Sequence, residues 1–304
     1  MFIVIGGATG TGKSSVAVEL AKLINGEIVS ADSMQVYRKM DIGTYKIPAA
    51  LRQGIPHHMI DVADPRENFS ASRYKDMAGT VMDGIKAAGK VPIMAGGTGF
   101  YINAVIKGIM KAEEPSDDLR KRLREEADSM GLEFMSEKLR ALDPEAAAVT
   151  DLKNSRRVLR ALELIEANGV KLSELKKNTP ETAYRDTYRM YITVVDREKL
   201  YNSLDARVED MVKAGLVDEV RSVLKSGAGA DSTALQAIGY KEINMHLGGK
   251  CSFNDAVNMI KQATRNYAKR QETWFKKYKE AKHIDMDKMT PEEAADYIND
   301  DLNR

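Results

Sequence analysis

Two periodicities alternate along the first hundred residues. Met1-Phe2-Ile3-Val4-Ile5 is an unbroken apolar run of strand length, which predicts a buried strand. Val16, Ala17, Leu20, Ala21, Leu23 and Ile24 then recur at helical spacing, and Asn25-Gly26 closes the helix. Glu27-Ile28-Val29-Ser30-Ala31 and Val91-Pro92-Ile93-Met94-Ala95 predict two further strands. From about Lys111 to Tyr184 the pattern becomes helical and richly charged. Ser116-Asp117-Asp118 caps a helix running through Leu119, Leu123 and Ala127 towards Gly131, and Asp143-Pro144-Glu145 opens another. A helix over about 153–167 turns Val158, Leu159, Leu162 and Ile165 inward and ends at Asn168-Gly169. Strand character returns over Arg189 to Asp196. Amphipathic helices are predicted over 197–224 and from Ala256 to about Lys279, and an acidic peripheral helix within 285–304 beginning near Thr290-Pro291-Glu292. Strands alternating with helices predict an α/β fold with a parallel sheet flanked by helices. The core comprises 1–112 and 185–304, and an all-helical insertion domain spans 113–184.

A chain of 304 residues suffices for one large domain or two modest ones. The single cysteine, Cys251, excludes an internal disulfide and a thiolate zinc knuckle built from this chain alone, and fits a reducing cytoplasm. No apolar run reaches membrane-spanning length and no leader precedes the first strand, so a cytoplasmic location is expected. The formal net charge of +1 does not announce a nucleic-acid binder, so any such role must rest on local patches.

The first candidate chemistry sits between the first strand and helix. Gly7-Ala8-Thr9-Gly10-Thr11-Gly12-Lys13-Ser14 reads G-x-x-x-x-G-K-[ST], and its strand-to-helix context makes it a P-loop. Its backbone N–H groups and the helix N-terminus cradle a diphosphate or triphosphate; Lys13 adds a full charge and Ser14 a hydroxyl for magnesium. Asp32 follows the second strand, at the end where parallel sheets bind ligands. Position alone leaves it as magnesium ligand, general base or helix cap. The third strand ends in Gly96-Gly97-Thr98-Gly99-Phe100-Tyr101 rather than in an acid. Its glycines suit either a second close approach to a ligand or a tight turn, and Thr98 is a candidate donor to a substrate. His57 and His58 are adjacent, hence on opposite faces of a strand, and are expected to be supporting residues rather than metal ligands. Between Lys261 and Lys279 seven cations face one anion, Glu272, with Tyr267, Trp274, Phe275 and Tyr278 interleaved. Lys261, Arg265 and Lys269 are four apart on one helical face. Either that face meets a phosphate backbone or it is a solvated basic helix with its aromatics in the core.

Several motifs together resemble the bacterial tRNA dimethylallyltransferases, also called tRNA isopentenyltransferases, from the first strand to about Lys277. They are the P-loop, Ser30-Ala31-Asp32-Ser33-Met34-Gln35-Val36-Tyr37 with Met40-Asp41-Ile42-Gly43-Thr44, His57-His58-Met59-Ile60-Asp61 and Gly96 to Tyr101. Arg156-Arg157-Val158-Leu159-Arg160-Ala161-Leu162-Glu163, Ala237-Ile238-Gly239-Tyr240-Lys241, and Gln262 to Arg265 with Lys269-Arg270-Gln271 complete the set. The resemblance implies a P-loop NTPase-like core with a helical insertion that clasps the tRNA anticodon arm. It implies transfer of a dimethylallyl group from dimethylallyl diphosphate to N6 of the adenosine 3′ of the anticodon, with Mg2+, by a monomer. Asp32 would be the base, with Thr98 and Lys13 as further catalytic residues. Gly7 to Ser14, Thr9 included, and Lys241 would hold the diphosphate. Ser33, Met34, Gln35 and Thr98, with Arg120, Arg156, Arg157, Val158, Leu159 and Arg160 of the insertion and Lys261, Arg265 and Lys269, would contact tRNA. Two residues depart from the family pattern: Lys241 stands where many members have Arg, and Ala8 where proline is common.

Three rivals remain at this point. A small-molecule kinase shares the loop but leaves the basic helix without a task. A prenyltransferase of free adenine nucleotides needs no tRNA-clasping surface. A non-catalytic nucleic-acid module does not explain Asp32 beside a diphosphate cradle.

Overall fold

The computed structural model describes residues 1–110, 112–178, 183–184, 186–229 and 232–304. The chain divides into two units, 1–106 with 184–304, and 107–183. Lys111 and Arg185, near which composition puts the domain limits, lie outside the described residues.

The first unit opens with β1 (Phe2–Gly7), α1 (Lys13–Leu23), β2 (Gly26–Ser30), the two-residue β3 (His57–His58), α2 (Ala71–Ala87), β4 (Val91–Gly96) and α3 (Gly99–Ile106). The second unit supplies α4 (Asp117–Leu142), α5 (Pro144–Val149), α6 (Ser155–Asn168) and α7 (Leu172–Asn178). The first unit then resumes with β5 (Tyr188–Val194), α8 (Arg197–Lys213), α9 (Leu216–Lys225), α10 (Tyr240–Leu247), α11 (Phe253–Phe275), β6 (Lys282–Asp285) and α12 (Pro291–Leu302).

All six strands are parallel, in the order β3-β2-β4-β1-β5-β6. β1 is central, with Ile5 beside Ala95 on one side and Tyr191 on the other. Residues 2–7 are all buried, the reason that strand has no polar face. The register sets Gly6 beside Gly96 and Ser30 beside Ala95. The loops after β1, β2 and β4 therefore emerge together at one edge, carrying the glycine loop, Asp32 and the Gly97-Thr98 turn.

Several expectations change here. The helix read over 197–224 breaks at Gly215, whose φ of 99° ends the run between α8 and α9. The C-terminal segment is not peripheral: Ala294, Ala295 and Ile298 of α12 are fully buried in one cluster with Val16, Ala17 and Leu20 of α1. Glu292, Glu293, Asp296 and Asp300 lie on the exposed side, while Asp301 is buried, accepts from the Tyr191 hydroxyl at 2.7 Å and pairs with Lys282. No helix among the described residues is long and apolar enough to cross a membrane.

Every described element of the second unit is a helix. Gly131, at φ 83° and ψ 164°, kinks α4 where the sequence places a helix end. Asp143 accepts from Ala146 N–H at 2.9 Å and Ser173 N–H at 2.8 Å, capping α5 and tying it to α7. Leu123, Met135, Leu139, Val158 and Leu162 form its core. Val158 is thus fully buried, and Leu159 packs on the same cluster. This corrects the expectation that Val158 touches tRNA: it belongs to the apolar stripe of α6 with Ala161, Leu162 and Ile165, while Leu159 is only partly buried and the arginines on either side of the pair form the polar face. Arg156 and Arg157 are exposed, while Arg160 and Arg120 converge on Glu114, at 3.2 and 2.8 Å.

Candidate active site

The glycine loop is held open by backbone geometry. Gly7, Gly10 and Gly12 have φ of 144°, 89° and 81°, values that favour glycine. A Cβ on Gly7 would lie 2.6 Å from the Thr193 carbonyl oxygen. Gly12 caps α1 without a side-chain acceptor, so the first-turn N–H groups remain available to an anion. Thr11 points away from the loop's mouth: its hydroxyl bonds Ala8 O at 2.8 Å and Thr193 Oγ1 at 2.6 Å.

A cavity of about 200 Å³ lies over this loop. Thr9, Gly10, Gly12, Lys13 and Ser14 form one wall; Asp32, Gln35, Gly97, Arg207 and Gln271 face them, with Ile28, Ile47, His57 and Ile60 as apolar lining. Lys13 and Asp32 are both half-buried at this cavity, and each alters the other. Burial draws the Lys13 ammonium down to about 7, Asp32 pulls it back, and Arg207 pushes it lower. Burial raises the Asp32 carboxyl, against N–H bonds from Met34 and Gln35 and the charge of Lys13. Those N–H groups donate to Asp32 Oδ1 at 2.8 and 3.2 Å. Asp32 is therefore a turn cap through one oxygen, with the other carboxylate oxygen left for chemistry. Ser33 N–H donates to Thr98 Oγ1 at 2.9 Å, coupling the turns after β2 and β4.

The glycines of the second turn line the cavity at Gly96 and Gly97, form a tight turn in which Gly99 N–H donates to Gly97 O at 3.0 Å, and have a further role that sequence did not show. A Cβ on Gly97 would fall 2.1 Å from Gln271 Nε2, and one on Gly99 2.1 Å from the Trp274 indole. They make room for α11. Gln271, buried, donates to Gly97 O and accepts from Thr9 N–H, both at 2.8 Å, and so joins the two loops.

Lys241 is not in this cavity. Gly239, at φ 95°, swings Tyr240 inward and leaves Lys241 exposed on α10. The cation that sequence reading missed is Arg207. It donates to Thr9 Oγ1 at 3.1 Å and lies 4.0 Å over the Tyr45 ring. Its one local signal is a cation bordering the apolar stripe Leu200, Leu204, Val208 and Met211 of α8. Glu219 was also missed. Its carboxylate accepts the N–H groups of Asp41, Ile42 and Gly43, each at 2.8 Å, and the Tyr240 hydroxyl at 2.5 Å. The Asp-Ile-Gly motif is thus a backbone nest for an acid from α9, and a Cβ on Gly43 would strike the Tyr240 ring at 2.4 Å. His57 lines the cavity and His58 turns away to Glu27 at 2.6 Å, opposite faces as expected.

The basic helix is less open than its sequence implies. Lys261 bonds Glu209 at 2.7 Å and Arg265 bonds Asp205 at 2.5 and 2.6 Å, both acids on α8. This corrects the reading of a continuous phosphate-facing row: α8 packs along that flank. Lys269 and Arg270 are exposed. If this face meets a phosphate backbone, Lys269→Ala should weaken nucleic-acid binding and lower the salt slope by about 1. Lys261→Ala should leave the slope unchanged, and filter binding across a salt series reads both.

The IPP transferase family model matches residues 35–278. A tRNA dimethylallyltransferase from Caldanaerobacter subterraneus subsp. tengcongensis is 44% identical over 283 residues, covering 91% of this chain and 89% of the relative. One from Acetivibrio thermocellus is 41% identical over 292 residues, covering 96% and 93%. The crystal structure of the full-length tRNA isopentenylpyrophosphate transferase from Bacillus halodurans superposes with a TM-score of 0.73 at 37% identity, covering 99% of this chain and 96% of that one. A eukaryotic dimethylallyltransferase acting on tRNA gives a TM-score of 0.83 at 28% identity, covering 99% and 79%.

Proposed function

The chain belongs to the IPP transferase family, and on that footing we propose that its cavity moves a dimethylallyl group from dimethylallyl diphosphate to N6 of the adenosine 3′ of a tRNA anticodon. It is a prenyltransferase acting on tRNA. The carrying observation is a half-buried carboxylate, Asp32, lining one cavity with the P-loop lysine.

In this reading adenosine N6 attacks C1 of the allyl group. The C1–O bond breaks, its electron pair leaves with diphosphate, and an N6 proton passes to Asp32. Lys13, Arg207 and the first-turn N–H groups of α1 face the charge that grows on the leaving oxygens. Thr98 and Gln271 hold the turns so that Asp32 and the loop keep their spacing. Among the described residues no group of three or more acids, histidines or cysteines converges. Magnesium arriving with the donor would be held on the protein side by the Ser14 hydroxyl and would supply further charge neutralisation. The reading carries with it a monomer that works in the cytoplasm.

Arg207→Ala should raise KM for dimethylallyl diphosphate by about 10- to 100-fold, the worth of a charged hydrogen bond. The tRNA Kd should stay within about twofold. The reading as a whole is tested with magnesium, radiolabelled dimethylallyl diphosphate and unmodified tRNA, with AMP in parallel. Label in tRNA, lost when the adenosine after the anticodon is replaced, is expected; label in AMP alone or in neither overturns the assignment.

A further inference from the structure

Phe100 stands on the first turn of α3, two residues after Thr98, and is 53% exposed. Its ring meets Trp274 edge-on, with centroids 6.5 Å apart and planes at 88°. Trp274 is seated against Gly99, and Lys277 Nζ lies 3.1 Å from its ring centroid. Tyr267, Gln271 and Trp274 follow one another at helical spacing on one face of α11. At the Tyr267 end that face feels the Asp32 carboxylate; next comes the Gln271 contact with Gly97, then the Trp274 contact with Gly99. Tyr267 to Trp274 spans about 10 Å at the helical rise. That exceeds the 3.4 Å step of stacked bases, and suits a neighbour of an extruded base rather than the target itself.

Resting on the function proposed above, we propose that Phe100 is a stacking shelf for the base of a nucleotide flanking the target adenosine. Trp274 buttresses it, and Lys277 places positive charge beside the strand. Single-stranded RNA is held by such aromatic faces because every base offers a π surface. Extruding the adenosine strips a stacking partner from its neighbour, and Phe100 replaces that partner without reading base identity.

The test uses the full chain with an anticodon stem-loop and, separately, stem-loops abasic at either nucleotide flanking the target. Phe100→Ala and Phe100→Leu should each raise KM for the stem-loop by about 5- to 100-fold. KM for dimethylallyl diphosphate should stay within about twofold and the salt slope should not change. Phe100→Trp should recover wild-type behaviour. At one flank, removing the base should cost the wild type a similar factor and cost Phe100→Ala little more. The shelf is overturned if Phe100→Leu, which keeps apolar bulk against Trp274, stays within twofold of wild type for the stem-loop. It is equally overturned if abasic penalties at both flanks are as large in Phe100→Ala as in wild type. Failure of the underlying reading looks different: the wild type itself would put no label into tRNA.

Discussion

Asp32→Asn is expected to lower turnover by about two to four orders of magnitude, the usual worth of a general base, while tRNA Kd changes little. Asparagine keeps an oxygen for the N–H groups of Met34 and Gln35 that now bond Oδ1, so the turn survives and only proton acceptance is lost. A second effect follows from the coupling across the cavity. The Asp32 charge raises the Lys13 ammonium against burial, so its loss drops Lys13 further, below about 7. At neutral pH the variant would then lose part of its diphosphate-binding cation as well. Running the comparison at saturating donor, whose bound diphosphate favours the charged Lys13, isolates the base. Single-turnover rates near wild type under that condition would remove Asp32 from the chemistry.

The next largest effect belongs to Lys13. Lys13→Ala should cut kcat/KM for dimethylallyl diphosphate by about 10²–10³, as loss of a preorganised charge at a developing anion does. The intact residue also sets a pH limb. Its ammonium lies at about 7 rather than 10.5 because burial disfavours the charged form. The cation is therefore present below about pH 7 and lost above it, and kcat/KM for the donor should fall as pH rises through that value. Bound diphosphate favours the charged amine, so kcat at saturating donor should lack this limb. Lys13→Arg, charged throughout, should flatten it. The same limb in Lys13→Arg as in wild type would assign the titration to another group.

The strands that build the sheet centre were legible because burial on both faces writes them as continuous apolar runs. Caps such as Ser116 and Asp143 act within three residues and were equally plain. What stayed hidden acts at a distance. Arg207 meets Thr9 across 198 positions and Gln271 meets it across 262; no local period records either pairing. β3 is two residues long and β6 four, too short to show alternation. Lys261 and Arg265 misled for the same reason, since their acidic partners lie on α8. The burial of α12 was masked by its acids, although Ala294, Ala295 and Ile298 fall at helical spacing beneath them. Lys241 fitted a motif whose glycine turns the side chain outward, a backbone fact that residue type does not carry.

The way α12 closes over α1 has a consequence for biogenesis. The helix that carries Lys13 leaves the ribosome long before α12, the helix that covers its apolar face and lies beyond the whole second unit in the chain. β1 likewise waits for β5, which follows the whole second unit. At 5–20 residues per second, synthesis of such a chain leaves that face bare for about 15 to 60 s. The nascent first unit thus exposes the surface beneath its own glycine loop until α12 has been made, a window for chaperone capture that the independently compact helical unit does not share.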